Sequence, residues 1–287
     1  MVNKILQTQN MIFRNFHGMF ALVNALASVL YNNKNTDEDS NWFYDIVENT
    51  VYFDESIEYT KNVWEYYFKQ PCDIKLIDID KSLETTENFF YNLSWENWTS
   101  NFHNGLISKE KLIDIHNFIF KTAKNKIQLK EEILKKIEEI KIDLELIDNN
   151  FISVHYRDYD LGSFEHHGHI GSKPEIEYWF DKIDQYDDKN LPIFLSTDSS
   201  DIINKFKERY KNRLRCVENI DRYYMKSYKG YINTSDVPEQ NPYLHGLNAI
   251  IDCYLLSYGK TIIRQCSGFS FFSILLNPYI ETINIDK

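Results

Sequence analysis

Between Phe151 and His169 the chain reads FISVHYRDYDLGSFEHHGH, an apolar run that passes abruptly into His155, Arg157, Asp158, Asp160, Glu165, His166, His167 and His169. Ionisable groups gathered directly after an apolar strand stand at its carboxyl end, where open α/β sheets bind their ligands. Arg157 is the one permanent cation of that cluster, and its planar fork suits a phosphate. Glu165 follows eight residues later. The stretch predicts a diphosphate site with a carboxylate close behind it. An ordinary ion pair of Arg157 with Asp158 or Asp160, and a solvent-facing loop glutamate, are the plainer alternatives.

Two further stretches carry matching chemistry. Pro192–Asp198 (PIFLSTD) is a strand ending on Asp198, whose carboxylate can accept two hydrogen bonds from the N1 and N2 donors of guanine. Capping of the following helix by Asp198 or Ser199 competes with that role. Ser267-Gly268-Phe269-Ser270 follows the strand Thr261–Arg264 and opens a helix. Hydroxyls and backbone amides there meet the positive end of the helix, an arrangement that suits phosphate; a simple capped turn is the alternative. A metal reading also exists. Asp158-Tyr159-Asp160 and Asp78-Ile79-Asp80 are D-x-D triplets, and His166, His167 and His169 are clustered imidazoles. A metal site would not require the histidine and arginine that precede the first triplet.

The elements that must position these groups alternate in the second half. Strands at Phe151–His155, Ile193–Thr197 and Thr261–Arg264 are separated by helices near Pro174–Ile183, Asp201–Tyr210 and Leu247–Ser257, with another from Gly268. The stretch Arg213–Gln240 holds a short strand and a long loop. Such alternation predicts a parallel sheet flanked by helices. Earlier, Met11–Phe13 reads as a strand and Phe20–Leu30 as a helix, with Gly18 in the turn between them. The aromatic segment 41–80 reads as packing of a first domain. Ile113, Ile115, Phe118 and Phe120 mark one helix. Leu129, Ile133, Ile137, Ile140, Leu144 and Ile147 mark the apolar face of a second, with Lys and Glu opposite. Asp148-Asn149-Asn150 breaks that helix, which places a domain boundary between residues 1–148 and 149–287.

Size and charge exclude several classes. With 287 residues, 43% hydrophobic and 15% aromatic, the chain has the material for a packed core, so disorder is excluded. A net charge of −11 argues against a nucleic-acid surface. It also means that an anionic ligand must be held by locally concentrated cations. Cys72, Cys216, Cys253 and Cys266 lack C-x-x-C spacing and read as reduced thiols of a cytoplasmic protein. Met19–Leu30 is too short for a transmembrane segment, and no signal peptide is visible.

Taken in order, His155-x-Arg157 with Asp160 and Glu165, then Pro192–Asp198, then Asp252–Ser273 (DCYLLSYGKTIIRQCSGFSFFS) resemble three motifs of the fucosyltransferases of the NodZ and core-fucosylation type. The protein O-fucosyltransferases are more distant relatives. The resemblance covers roughly the last half of the chain. It implies a GT-B fold, two Rossmann-like α/β domains facing a cleft, with the acceptor side in residues 1–148 and the donor site in 149–287. It implies inverting, metal-independent transfer of fucose from a GDP-fucose donor to a glycan acceptor hydroxyl, with no cofactor. Arg157 would stabilise the leaving diphosphate, and Glu165 would act as base. His155 and Asp198 would read guanine, Ser267, Gly268, Phe269 and Ser270 would hold phosphate, and His17 and Gly18 would face the donor across the cleft. Two positions depart from the family: Asp158 stands where a second arginine is expected and Leu161 where a lysine is. Diphosphate neutralisation would then draw on Arg264 or His167. The competing functions are a metal-dependent D-x-D glycosyltransferase using another nucleotide-sugar and a non-catalytic nucleotide-sugar-binding protein.

Overall fold

The computed structural model describes residues 3–7, 19–32, 34, 41–45, 52–70, 101–121, 127–157, 174–187, 190–218 and 241–285. Its first half holds β1 (Asn3–Gln7), α1 (Met19–Asn32), β2 (Asn41–Asp45), α2 (Trp64–Tyr67), β3 (Phe68–Lys69), α3 (Lys109–His116), β4 (Gln128–Leu129) and α4 (Glu131–Asp143). A π-helical turn over Asn117–Lys121 extends α3. The second half holds β5 (Ile152–Tyr156), α5 (Ile176–Tyr186), β6 (Ile193–Thr197), α6 (Ser200–Tyr210), β7 (Leu214–Arg215), α7 (Pro242–Ser257), β8 (Thr261–Arg264), α8 (Gly268–Leu276) and β9 (Glu281–Asn284).

These last five strands form one all-parallel sheet in the order β7-β6-β5-β8-β9. The chain winds outward from β5 to one edge, then crosses back and winds from β8 to the other. This is the doubly wound arrangement, and its strand order reverses between β5 and β8. Strands β5, β6 and β8 are buried at every position, as expected for parallel strands covered by helices on both sides. The parallel α/β class expected from the alternation is therefore present.

The two faces of the sheet are packed differently. On one, Ile152, Val154, Tyr156, Ile193, Leu195 and Ile263 meet α5 and α6 through Trp179, Ile183, Ile202 and Phe206. On the other, Phe151, Phe194 and Ile262 join α7, α8 and buried side chains of the first half in a single core. That second core runs past residue 148. Phe20 of α1 packs on Phe269 and Phe272 of α8, with centroids 5.1 and 5.2 Å apart, and Asn24 donates to the Gly268 carbonyl at 2.7 Å. Tyr67 of α2 donates to the Tyr243 carbonyl at 2.9 Å. Gly246 is required by the same contact, because a Cβ there would fall 2.3 Å from the Tyr67 hydroxyl.

The first half also carries a parallel pair, β1 with β2, and an antiparallel pair, β3 with β4. Within the described part of the aromatic segment, Trp64, Tyr66, Tyr67 and Phe68 are core, each at most 1% exposed, while Tyr59 faces outward. Two expectations for the second helix need correction. Leu129 lies in β4, paired with Phe68, because α4 begins only at Glu131. Ile147 is 67% exposed because α4 ends at Asp143, and Glu145, at φ 54°, turns the chain out of the helical register. The strand expected at Met11–Phe13 lies outside the described residues. Among those residues no helix is long and apolar enough to cross a membrane.

Candidate active site at the strand-order reversal

Alternation along β5 decides which side chains reach the site. Ile152, Val154 and Tyr156 go to the α5/α6 face. Ser153 goes to the other, donating to the Leu256 carbonyl of α7 at 2.7 Å. His155 follows on that side and stacks on Phe269 of α8, centroids 4.9 Å apart and rings 13° from parallel. Arg157 comes two residues later at the carboxyl end of β5, partly buried; its backbone amide donates to Gln265 Oε1 at 2.7 Å. Gln265 is buried and directly follows β8, so a single hydrogen bond ties together the ends of the two strands between which the order reverses.

The turn from β8 into α8 is held by an internal network. Ser267 caps α8, its hydroxyl accepting from the Ser270 amide at 3.1 Å, while the Ser267 carbonyl accepts from the Phe271 amide at 3.0 Å. The Ser270 hydroxyl lies 3.0 Å from the Gln265 carbonyl and 3.0 Å from Ser267 Oγ. Ser267 Oγ in turn stands 3.5 Å from His155 Nδ1. Among the described residues, none accepts from the Gly268 or Phe269 amide. Those are the first two N–H groups of a helix, which carry its partial positive charge and lack intrahelical acceptors.

Electrostatics keep His155 neutral. Burial is the main cause and the Arg157 and Arg264 guanidinium charges add to it, holding the imidazole well below its ordinary range. A neutral ring at a cationic site can both donate and accept a hydrogen bond, which an imidazolium cannot. On the neighbouring strand, Asp198 follows Thr197, the register partner of Tyr156. The cap of α6 is supplied by Ser199, whose hydroxyl accepts from Ile202; this resolves the capping alternative in favour of the serine.

His155, Arg157, Ser267, Gly268, Phe269 and Ser270 thus come together, with Asp198 one strand away. His17, Gly18 and Glu165 lie outside the described residues, as do Asp78, Asp80, Asp158, Asp160, His166, His167 and His169. Among the described residues no three His, Cys, Asp or Glu side chains group as metal ligands. The part that sequence reasoning missed is Gln265. Gln265 was marked only by its place between a strand and a serine-capped helix.

No protein-family model matches the chain, and no curated protein matches it in sequence. Solved structures do. A NodZ α-1,6-fucosyltransferase soaked with GDP-fucose is 15% identical, with 96% of this chain and 92% of that one covered at a TM-score of 0.48. A Bradyrhizobium NodZ structure gives 15% identity, 96% and 94% coverage and a TM-score of 0.49. POFUT1 in complex with GDP is 11% identical, with 99% of this chain and 98% of that one covered at a TM-score of 0.51. At such identity a structural match speaks for the fold, and the chain shares its fold with the fucosyltransferase POFUT1.

Proposed function

We propose that the chain is an inverting glycosyltransferase that moves fucose from GDP-fucose to a glycan hydroxyl without a metal ion. One observation carries this reading. His155, Arg157 and the capped Ser267–Ser270 turn converge at the carboxyl ends of the two strands where the order reverses, in a fold shared with a GDP-bound POFUT1. The two-domain cleft belongs to the same proposal, with residues 1–148 on the acceptor side and 149–287 on the donor side.

In this reading the Arg157 guanidinium and the Gly268 and Phe269 amides take the diphosphate, whose charge grows as the sugar–oxygen bond breaks. The acceptor oxygen forms its bond to the anomeric carbon from the face opposite the diphosphate, which leaves as GDP with the bonding electron pair. Glu165 takes the acceptor proton. Neutral His155 and the carboxylate of Asp198 recognise guanine, fixing the donor so that remote binding energy aligns the reacting carbon. His17 and Gly18 face the donor across the cleft in this reading.

Release of GDP from GDP-fucose, measured with glycan acceptors in excess EDTA, tests the reading. The expected result is acceptor-dependent GDP release that the chelator leaves intact. Strict manganese dependence would transfer the site to Asp158 and Asp160 and overturn the proposal. Binding without turnover would leave a nucleotide-sugar-binding protein.

A further inference from the structure

Arg264 differs from the other well-anchored arginines of this half. Arg209, Arg213 and Arg215 keep between 22% and 51% of their side chains exposed. Arg264 is 0% exposed. Its Nε donates to Ser270 Oγ at 2.8 Å and its Nη1 to Asn284 Oδ1 at 3.2 Å. Its guanidinium carbon lies 5.8 Å from the centre of the Phe102 ring. Asn284 passes the link onward, donating to the His103 carbonyl at 3.5 Å. One buried side chain therefore touches the α8 turn, the edge strand β9 and a first-half segment.

Its register matters as much as its bonds. Arg264 is the β8 partner of His155 on β5, and both side chains contact the opening of α8, at Ser270 and Phe269 respectively. Ser270, which receives the Arg264 bond, also orders Ser267 and the Gln265 carbonyl, and the Gln265 side chain holds the Arg157 amide. The guanidinium thus sits behind the turn whose amides face the diphosphate in the proposed function. A charge buried there acts through protein rather than water, where its field on an anion is strongest.

We infer that Arg264 is a positioning residue for the diphosphate: from behind the β8–α8 turn it fixes the Ser267–Ser270 amides and adds a positive field to that of Arg157. The inference rests on the diphosphate reading. It separates from a merely structural brace because a field acts on phosphate and on the His155 titration, whereas a brace acts on stability alone.

The test compares wild type, Arg264→Lys and Arg264→Gln for binding of GDP and of guanosine, with the His155 titration followed by NMR in the unliganded protein. Asn284→Asp is included because it sets a carboxylate against the guanidinium and cancels its field with the side chain still in place; it serves alone if Arg264→Gln fails to fold. Arg264→Gln and Asn284→Asp should weaken GDP about tenfold, change guanosine little, and move the His155 titration upward. Arg264→Lys should stay nearer wild type on all three. Equal losses for GDP and guanosine, or a His155 titration that does not move, would overturn the inference. A wild-type protein that ignores GDP would end the diphosphate reading, and the His155 titration would still report on the field of Arg264.

Discussion

The two faces of the parallel sheet are made from the same strands and have opposite characters. Toward α5 and α6, strands β5, β6 and β8 contribute Ile152, Val154, Tyr156, Ile193, Leu195 and Ile263, packed on Trp179 and Phe206. Toward α7 and α8 the same strands contribute Phe194 and Ile262 and, beside them, the polar Ser153, His155, Ser196 and Arg264, with Ser153 bonded to Leu256 and Ser196 donating to buried Asp252 at 2.9 Å. Both faces are shut off from water, so burial does not distinguish them. The difference lies in what is buried. A dry apolar layer fixes the strands, and polar groups on the other side are held by hydrogen bonds to the helices, at the cost that desolvation imposes. The first face stabilises; the second aims side chains at the strand-order reversal.

That contrast yields separable effects. Trp179 is fully buried against Tyr156, centroids 4.7 Å apart. Trp179→Ala should cost about 3–5 kcal/mol of stability in urea unfolding, while protein that remains folded keeps its nucleotide affinity. Comparable loss of affinity in the folded fraction would break the division between faces. Arg157→Ala should do the reverse. Turnover should fall about a hundredfold or more with the unfolding midpoint little changed, and Arg157→Lys should not restore it, since a point charge cannot replace the fork. A normal rate in either variant would remove Arg157 from the site.

A smaller effect should appear with pH. Burial holds the His155 imidazole well below the 6.5 of an ordinary histidine, and burial lowers His245 and His116 as well. Below pH 6.5 the unfolded chain therefore binds protons that the folded chain refuses, so stability is full above that pH and declines beneath it. Each imidazole kept neutral contributes a slope of up to about 1.4 kcal/mol per pH unit. Thermal unfolding followed from pH 8 to pH 5 should show the decline, and His155→Gln should flatten it. A slope unchanged in that variant would mean that His155 titrates normally.

Much of the polar face was legible before any coordinates. The bounds of Ile193–Thr197 and Thr261–Arg264 agree with the observed strands, and β5 is shifted by one residue, from Phe151–His155 to Ile152–Tyr156. Short apolar runs between helix-length segments leave few other readings for a sheet covered on both sides. The start of α8 at Gly268, and its opening serine, were readable from Ser-Gly after a strand. Less legible was anything that depends on long-range partners. Ile147 fits the helical spacing, yet the chain turns at Glu145 and exposes it. The bond from Arg157 to Gln265 spans 108 residues and that from Asn284 to His103 spans 181; no local pattern announces either. Arg264 entered the sequence reading only as a stand-in for the arginine that Asp158 replaces; its burial and its bonds to Ser270 and Asn284 were not legible there.

The central claim is that the polar face ends in a guanosine diphosphate site. Its most direct test is a thermal-shift titration of the unmodified protein with GDP, UDP, ADP and CDP, since a ligand bound only by the folded state raises the midpoint by mass action. With His155 and Asp198 reading the base, GDP should bind about tenfold or more tighter than the others, a difference of about 1.4 kcal/mol or more, and its shift should shrink in Arg157→Ala. Equal or greater stabilisation by UDP would contradict the guanine assignment and the fucosyl-transfer reading with it.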